Sequence, residues 1–194
     1  MINKRLPIVL LATTISSFTT PFMGSSVNVA LPMIAHEFSM NALSVSWVAS
    51  SFLLAASITL LPLGRLADIY GRKLFFFSGS LIFALSSLLS ICSQTEAFFI
   101  AMRVVQGIGG AMIFSTGTAM LVSAYPQGQR GRILGINIAA VYIGLTCGPF
   151  IGGLLTQHLG WKTIFIFSAV LGAAAAGLSV FVAKEDIPKD RVCG

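Results

Sequence analysis

The sequence predicts an all-α membrane protein, with six transmembrane helices arranged as a 3+3 inverted repeat. Three observations lead there. Hydrophobic residues make up 56% of the chain, charged residues only 9%, and mean hydropathy is +0.91. A soluble domain carries about a quarter charged residues, and disorder needs low hydrophobicity with high charge. The apolar residues also gather into six runs, each long enough for the ~20 residues of helix that cross a bilayer. Finally, two ten-residue stretches resemble one another and stand at equivalent places in successive sets of three runs.

The runs cover residues 6–31, 45–63, 74–93, 97–125, 133–157 and 163–183. Only the fourth holds an ionised side chain, Arg103. The first follows a basic start at Lys4 and Arg5. It outruns the roughly 7–15 apolar residues of a secretory signal, so it is expected to stay in the protein as a span. It ends in SSVNVALP, where Asn28 is either a packing hydrogen-bond group or part of a polar cavity. The second run is followed by GRLADIYGRK, residues 64–73, which concentrates Arg65, Asp68, Arg72 and Lys73 in what reads as a short loop.

The fourth run opens on RVVQGIGGAM. Arg103 lies about two turns inside it at 1.5 Å per residue, where a cation either snorkels or faces a polar cavity. Gln106 is one turn away on the same face. Gly107, Gly109 and Gly110 lack the spacing of a dinucleotide loop and follow no strand, so they read as helix-packing glycines. The fifth run contains GLTCGPFIGG. Its Gly144, Gly148 and Gly152 form a smooth stripe, Pro149 removes a helix hydrogen bond, and Gly153 adds further freedom. The sixth is small-residue-rich and reads as packing, with Ser168 its one notable polar site.

Charge sets the direction of threading. Lys4, Arg5, Arg65, Arg72, Lys73, Arg130, Arg132, Lys184, Lys189 and Arg191 fall on one side, and Lys162 alone on the other. The positive-inside rule makes the basic side cytoplasmic and places both ends of the chain there. The net charge of +6 is thereby accounted for without a nucleic-acid partner; the expected surroundings are the lipid bilayer of the cell membrane. Cys92, Cys147 and Cys193 are far apart, and His36 and His158 are isolated, so neither a metal site nor a cofactor is expected. No span clusters His, Cys, Asp or Glu and no P-loop occurs, which argues against an enzyme.

The repeat pairs GRLADIYGRK with GLLTQHLGWK, residues 153–162. Gly64 matches Gly153, Leu66 matches Leu155, Gly71 matches Gly160 and Lys73 matches Lys162. One stretch joins the second and third spans, the other the fifth and sixth, on opposite faces of the membrane.

Together these segments resemble the major facilitator superfamily, in particular its 14-span drug:proton antiporter branch. The resemblance rests on Gly64, Asp68, Gly71, Arg72 and Lys73; on Arg103, Gln106 and Gly107; on Gly144, Gly148, Pro149, Gly152 and Gly153; and on NVALP, Trp47-Val48 and Trp161 with Ile164-Phe165. It implies that the chain is an N-terminal six-helix bundle, with residues 184–194 beginning a cytoplasmic linker and a C-terminal half missing. It further implies efflux of drugs or other small lipophilic molecules, with Asp68 and Arg72 as a conformational latch, Gly64 permitting close approach and Gly71 making a tight turn. Arg103, Gln106, Gly107 and Asn28 become the cavity and coupling group. One departure stands out. The branch carries an acid where this chain has Met23, and no span holds Asp or Glu, so a proton or other coupling ion lacks its usual carrier here. The alternatives are a six-span oligomeric channel, a half-size transporter, or a superfamily member carrying another solute.

The basic asymmetry predicts that single cysteines placed at 37–41, in a background without native cysteines, react with an impermeant thiol reagent added outside intact cells. Cysteines at 127–130 should stay unlabelled. The reverse labelling would overturn the threading.

Overall fold

In a computed structural model, residues 6–181 are described. The basic positions before residue 6, those after residue 181 and the expected linker at 184–194 lie outside the described residues. Six helices follow one another: α1 (Leu6–Glu37), α2 (Ala42–Tyr70), α3 (Arg72–Ile91), α4 (Glu96–Ala124), α5 (Gln127–Leu159) and α6 (Lys162–Val180). All six are long and apolar enough to span a membrane. Inside a bilayer no water satisfies a free amide, so each crossing segment must satisfy its backbone internally, as a helix does.

The helices overrun the apolar runs at most ends, because apolarity marks the hydrocarbon slab and not the limit of the hydrogen-bond ladder. Two expected loops are therefore corrected. The stretch 64–73 is the last two turns of α2, then Gly71, then the start of α3; the stretch 153–162 is the end of α5, then Gly160 and Trp161. The charges at Arg65 and Asp68 do not break α2, which runs on to Tyr70 and stops only at Gly71. In the other direction, α3, α4 and α6 stop at Ile91, Ala124 and Val180, short of the expected 93, 125 and 183.

The chain turns on a few residues. The Asn41 side chain accepts from the Ser44 amide and caps α2, and Thr95 does the same for α4 through the Phe98 amide. Gly71 and Gly160 reverse the chain with φ of +111° and +86°, where a Cβ is not tolerated. Each donates its amide back to the helix it ends, to the Ala67 and Thr156 carbonyls.

The most extensive pairings are α1 with α5, α2 with α4, and α3 with α4 and α6. Exchanging the first three helices for the last three carries α1/α5 onto α4/α2, so the packing obeys the repeat. A continuous apolar core runs through the bundle and includes Phe22, Phe76, Phe83, Phe99, Trp161 and Phe165. Lipid tails are as apolar as these side chains, so close packing rather than hydrophobic transfer holds the helices together. The outer surface keeps large apolar residues such as Leu53, Ile58 and Leu61.

Substituting Gly71 or Gly160 by alanine should lower bundle stability by about 1–3 kcal/mol, the usual scale for a forced backbone conformation. Gly135, helical and with open space where a Cβ would go, is the control and should tolerate alanine. Thermal unfolding of purified variants in detergent checks this, and an unchanged midpoint for Gly71→Ala would count against the turn.

Candidate functional site

Gly71 brings the charged groups together. Across it, Arg72 Nε donates to Asp68 Oδ1 at 2.8 Å. Arg72 also reaches the Ala119 carbonyl of α4 at 3.4 Å, and Lys73 Nζ donates to the Val180 carbonyl at the end of α6 at 3.0 Å. Both cations thus serve carbonyls in the C-terminal parts of helices, where the backbone dipole favours positive charge. The Asp68 side chain is 59% exposed, so the ion pair itself contributes about 0–1 kcal/mol. Its value is geometric: it keeps the α2–α3 turn seated on α4 and α6. Beside it, α2 and α4 line a surface groove of about 610 Å³, with Leu60, Leu61 and Phe114 as apolar wall, Ser57 and Ser115 as polar points, and Arg65 and Asp68 among its lining residues. A Cβ on Gly64 would meet Ser115 Cβ at 3.4 Å, an ordinary contact, so nothing within the bundle demands a glycine there.

Arg103 is 1% exposed. Its Nε donates to the Val48 carbonyl of α2 at 3.1 Å, its guanidinium donates to Gln106 Oε1, and it stacks 4.6 Å from the Phe52 ring centre. Gln106 passes the chain on, donating from Nε2 to Ser87 Oγ of α3 at 2.6 Å. Burying an unpaired ion costs several kcal/mol. A desolvated cation–π contact returns ~2 kcal/mol, and carbonyl acceptors supply more. The structure therefore joins Arg103 to Gln106, as the spacing indicated, but encloses both where an open cavity wall or snorkelling was expected. Asn28 is exposed and is not among Arg103's partners. Met23 is fully buried and accepts a hydrogen bond from Ser168 Oγ at 3.1 Å.

The glycines explain why these helices touch. A Cβ on Gly107 would come within 2.4 Å of the Phe52 carbonyl oxygen, and one on Gly144 within 2.4 Å of the Phe18 carbonyl oxygen. In the repeat register Gly107 corresponds to Phe18 and Ala55 to Gly144, so the close Gly107–Ala55 approach of α4 to α2, 3.0 Å from a Cβ built on Gly107 to Ala55 Cβ, stands at the place of the Phe18–Gly144 approach of α1 to α5. Cβ atoms on Gly148 and Gly152 would collide with Ser25 and Ser26, whereas Gly153 has ordinary room. At the opposite end, Glu37 of α1 accepts from Trp161 Nε1 and pairs with Lys162 at 3.3 Å, above a cluster of Phe38, Phe99, Trp161 and Phe165. Sequence reasoning missed Phe52, Ser87, Ser26 and Glu37. Ser87 and Ser26 had no signal that set them apart from neighbouring serines. Among the described residues no three His, Cys, Asp or Glu converge on a metal position.

The model of the Major Facilitator Superfamily matches residues 13–192. The chain belongs to this superfamily. Among superfamily relatives, riboflavin transporter RibZ of Clostridioides difficile (strain 630) is 34% identical over 186 residues, 96% of this chain and 40% of the relative. Multidrug resistance protein Stp of Mycobacterium tuberculosis (strain CDC 1551 / Oshkosh) is 32% identical over 184 residues, 94% of this chain and 34% of the relative. The tetracenomycin C resistance and export protein of Streptomyces glaucescens is 31% identical over 173 residues, 88% and 32% respectively. The chain thus spans 32–40% of the length of these superfamily proteins.

Replacing Arg103 by lysine keeps the charge but loses the fork that serves Val48 and Gln106 together. The Arg103→Lys bundle should be less stable by about 2–3 kcal/mol, the cost of buried groups left without partners. Gln106→Ala should cost less when added to Arg103→Lys than it does alone, since the two act as one network. Unfolding of the single and double variants in detergent measures this; strict additivity would show that the network is not coupled.

Proposed function

We propose that these helices are the N-terminal half of a secondary active transporter that exports drugs or other small lipophilic molecules by antiport, alternating its access between the two membrane faces. The observation that carries this reading is the Gly71 junction, where one turn ties α2 and α3 to the ends of α4 and α6 through Arg72 and Lys73 and leaves Asp68 exposed. A carboxylate so placed is free to engage the N-terminus of a helix in a second half. When the halves rock apart, Asp68 keeps its Arg72 pair and loses the outer partner, so the junction acts as a latch without unfolding. The reading also draws on the names of two relatives, a multidrug resistance protein and an antibiotic export protein.

In this reading the Gly71 end faces the cytoplasm, both ends of the chain lie inside, and the protein sits in the cell membrane. The C-terminal half supplies the latch partner, the rest of the pathway and the titrating acid for a proton or other coupling ion. Arg103 acts on that acid through the packing of α2 against α4, together with Gln106 and the Gly107 contact; Asn28, exposed on α1, offers the cavity a neutral polar group. Alternation bends or slides α5 at Gly148, Pro149 and Gly153. A second reading, another solute carried by the same machinery, is favoured by the riboflavin transporter among the relatives.

A drug-panel export assay on the full-length protein, with and without an uncoupler, tests the reading. Export of at least one lipophilic drug, abolished by the uncoupler, is expected; riboflavin transport alone would favour the second reading. At normal expression Asp68→Asn should slow transport roughly tenfold, the factor for a lost charge-assisted bond of about 1.4 kcal/mol. Wild-type transport by this variant would remove the latch.

A further inference from the structure

The two glycine turns of the repeat are fastened by different chemistry. At the Gly71 end the ties to α4 and α6 run from cations to carbonyls, Arg72 to Ala119 and Lys73 to Val180. Acid adds no proton to a guanidinium or an ammonium, so these ties do not titrate as pH falls. At the Gly160 end the tie runs to a carboxylate. Glu37, the last residue of α1, accepts from Trp161 Nε1 through Oε2, and its Oε1 lies 3.3 Å from Lys162 Nζ. In the repeat register Trp161 stands at the place of Arg72, and Lys162 at the place of Lys73.

The Trp161 side of the tie is enclosed. Trp161 is 2% exposed, with edge contacts to Phe99 and Phe165 and a tilted one to Phe38. Packing holds its ring whatever the pH, while its single N–H depends on Glu37. Glu37 is accessible: it lies past the apolar run that ends at Leu31, about 9 Å further along the helix, and its side chain is 44% exposed. The Trp161 hydrogen bond holds the Glu37 carboxyl below its usual value; slight burial opposes this and Lys162 reinforces it. Facing Glu37 are Lys162 of α6 and Glu96 of α4, which lines the same outer pocket of about 470 Å³. His36 adjoins it on α1, and His158 is exposed near the end of α5.

We propose that Glu37, Trp161 and Lys162 form an acid-sensitive clasp on the α5–α6 turn. With the carboxylate charged, the clasp ties the end of α1 to that turn. Protonation removes the charge that Lys162 pairs with and leaves Trp161 a weaker, neutral acceptor. The folded state favours the charged form. The tie is therefore whole above the unfolded carboxyl value of about 4.3 and is lost as pH falls through the lower folded value. The aromatic cluster stays packed, so the helices do not part; only the order of the turn at Gly160 changes. The Gly71 turn, tied by cations, keeps its order. That the clasp faces outside follows from the proposed orientation, while its chemistry does not depend on it.

The test uses the full-length protein labelled with 5-fluorotryptophan, in detergent and in oriented vesicles. The Trp161 fluorine signal is the one lost in Trp161→Phe. It should titrate with a midpoint below about 4.3, while helix content by circular dichroism holds. Lys162→Gln should raise the midpoint, and Glu37→Gln should abolish the transition. Glu96→Gln, His36→Gln and His158→Gln should all keep it. At neutral pH, Glu37→Gln should speed backbone hydrogen exchange at 158–164 roughly threefold, the scale of a lost exposed ion pair, and leave 69–75 unchanged. A flat signal, a transition that survives Glu37→Gln, loss of helix along with the signal, or equal exchange changes at both turns would overturn the clasp. In vesicles, a response only to acid on the face carrying the basic residues would keep the clasp and reverse the orientation. An intact clasp in a protein that exports nothing would remove the drug-export reading alone.

Discussion

The backbone of a bilayer-spanning chain has to satisfy its own amides, and most other features of this bundle follow from that constraint. It forces unbroken helices through stretches whose side chains say little, and it pushes those helices past the apolar runs until a glycine or an extended pair stops them. It also limits how helices can attract one another. With no hydrophobic gain on offer between apolar surfaces in lipid, contact has to come from backbone approaching backbone. Gly107 against the Phe52 carbonyl and Gly144 against the Phe18 carbonyl are such approaches, made between α4 and α2 and between the corresponding pair α1 and α5.

The same constraint gives the few polar groups their weight. Arg103 is tolerable because the Val48 carbonyl, Gln106 and the Phe52 ring surround it, and Gln106 in turn is tied to Ser87. The network staples α2, α3 and α4 together inside the bundle. By contrast the Asp68–Arg72 pair sits at an exposed turn and contributes little stability. One charged site is enclosed and held by several partners, and the other is exposed to solvent.

Much of this was legible in the residues. Apolar length located six helices, and the paired stretches at Gly71 and Gly160 revealed the repeat, because a glycine forced into positive φ is needed wherever that turn recurs. The i,i+3 spacing of Arg103 and Gln106 announced their contact. What misled was treating charge as a loop signal: residues 64–70 are charged because they leave the hydrocarbon, yet they stay helical because nothing breaks the ladder. Asn28 at a similar depth suggested a partner for Arg103, but depth along two helices says nothing about which faces meet.

Composition and order by themselves determined the membrane class, the number of helices, the inverted repeat and the superfamily, since these depend on apolar length, charge bias and local turn chemistry. Tertiary structure alone decided that Arg103 is enclosed and that Ser26 crosses to α5 while Ser115 folds back on α4. The reason is physical. A serine hydroxyl is nearly as well satisfied by its own helix as by a neighbour, so the choice between them is made only by how closely the second helix has come.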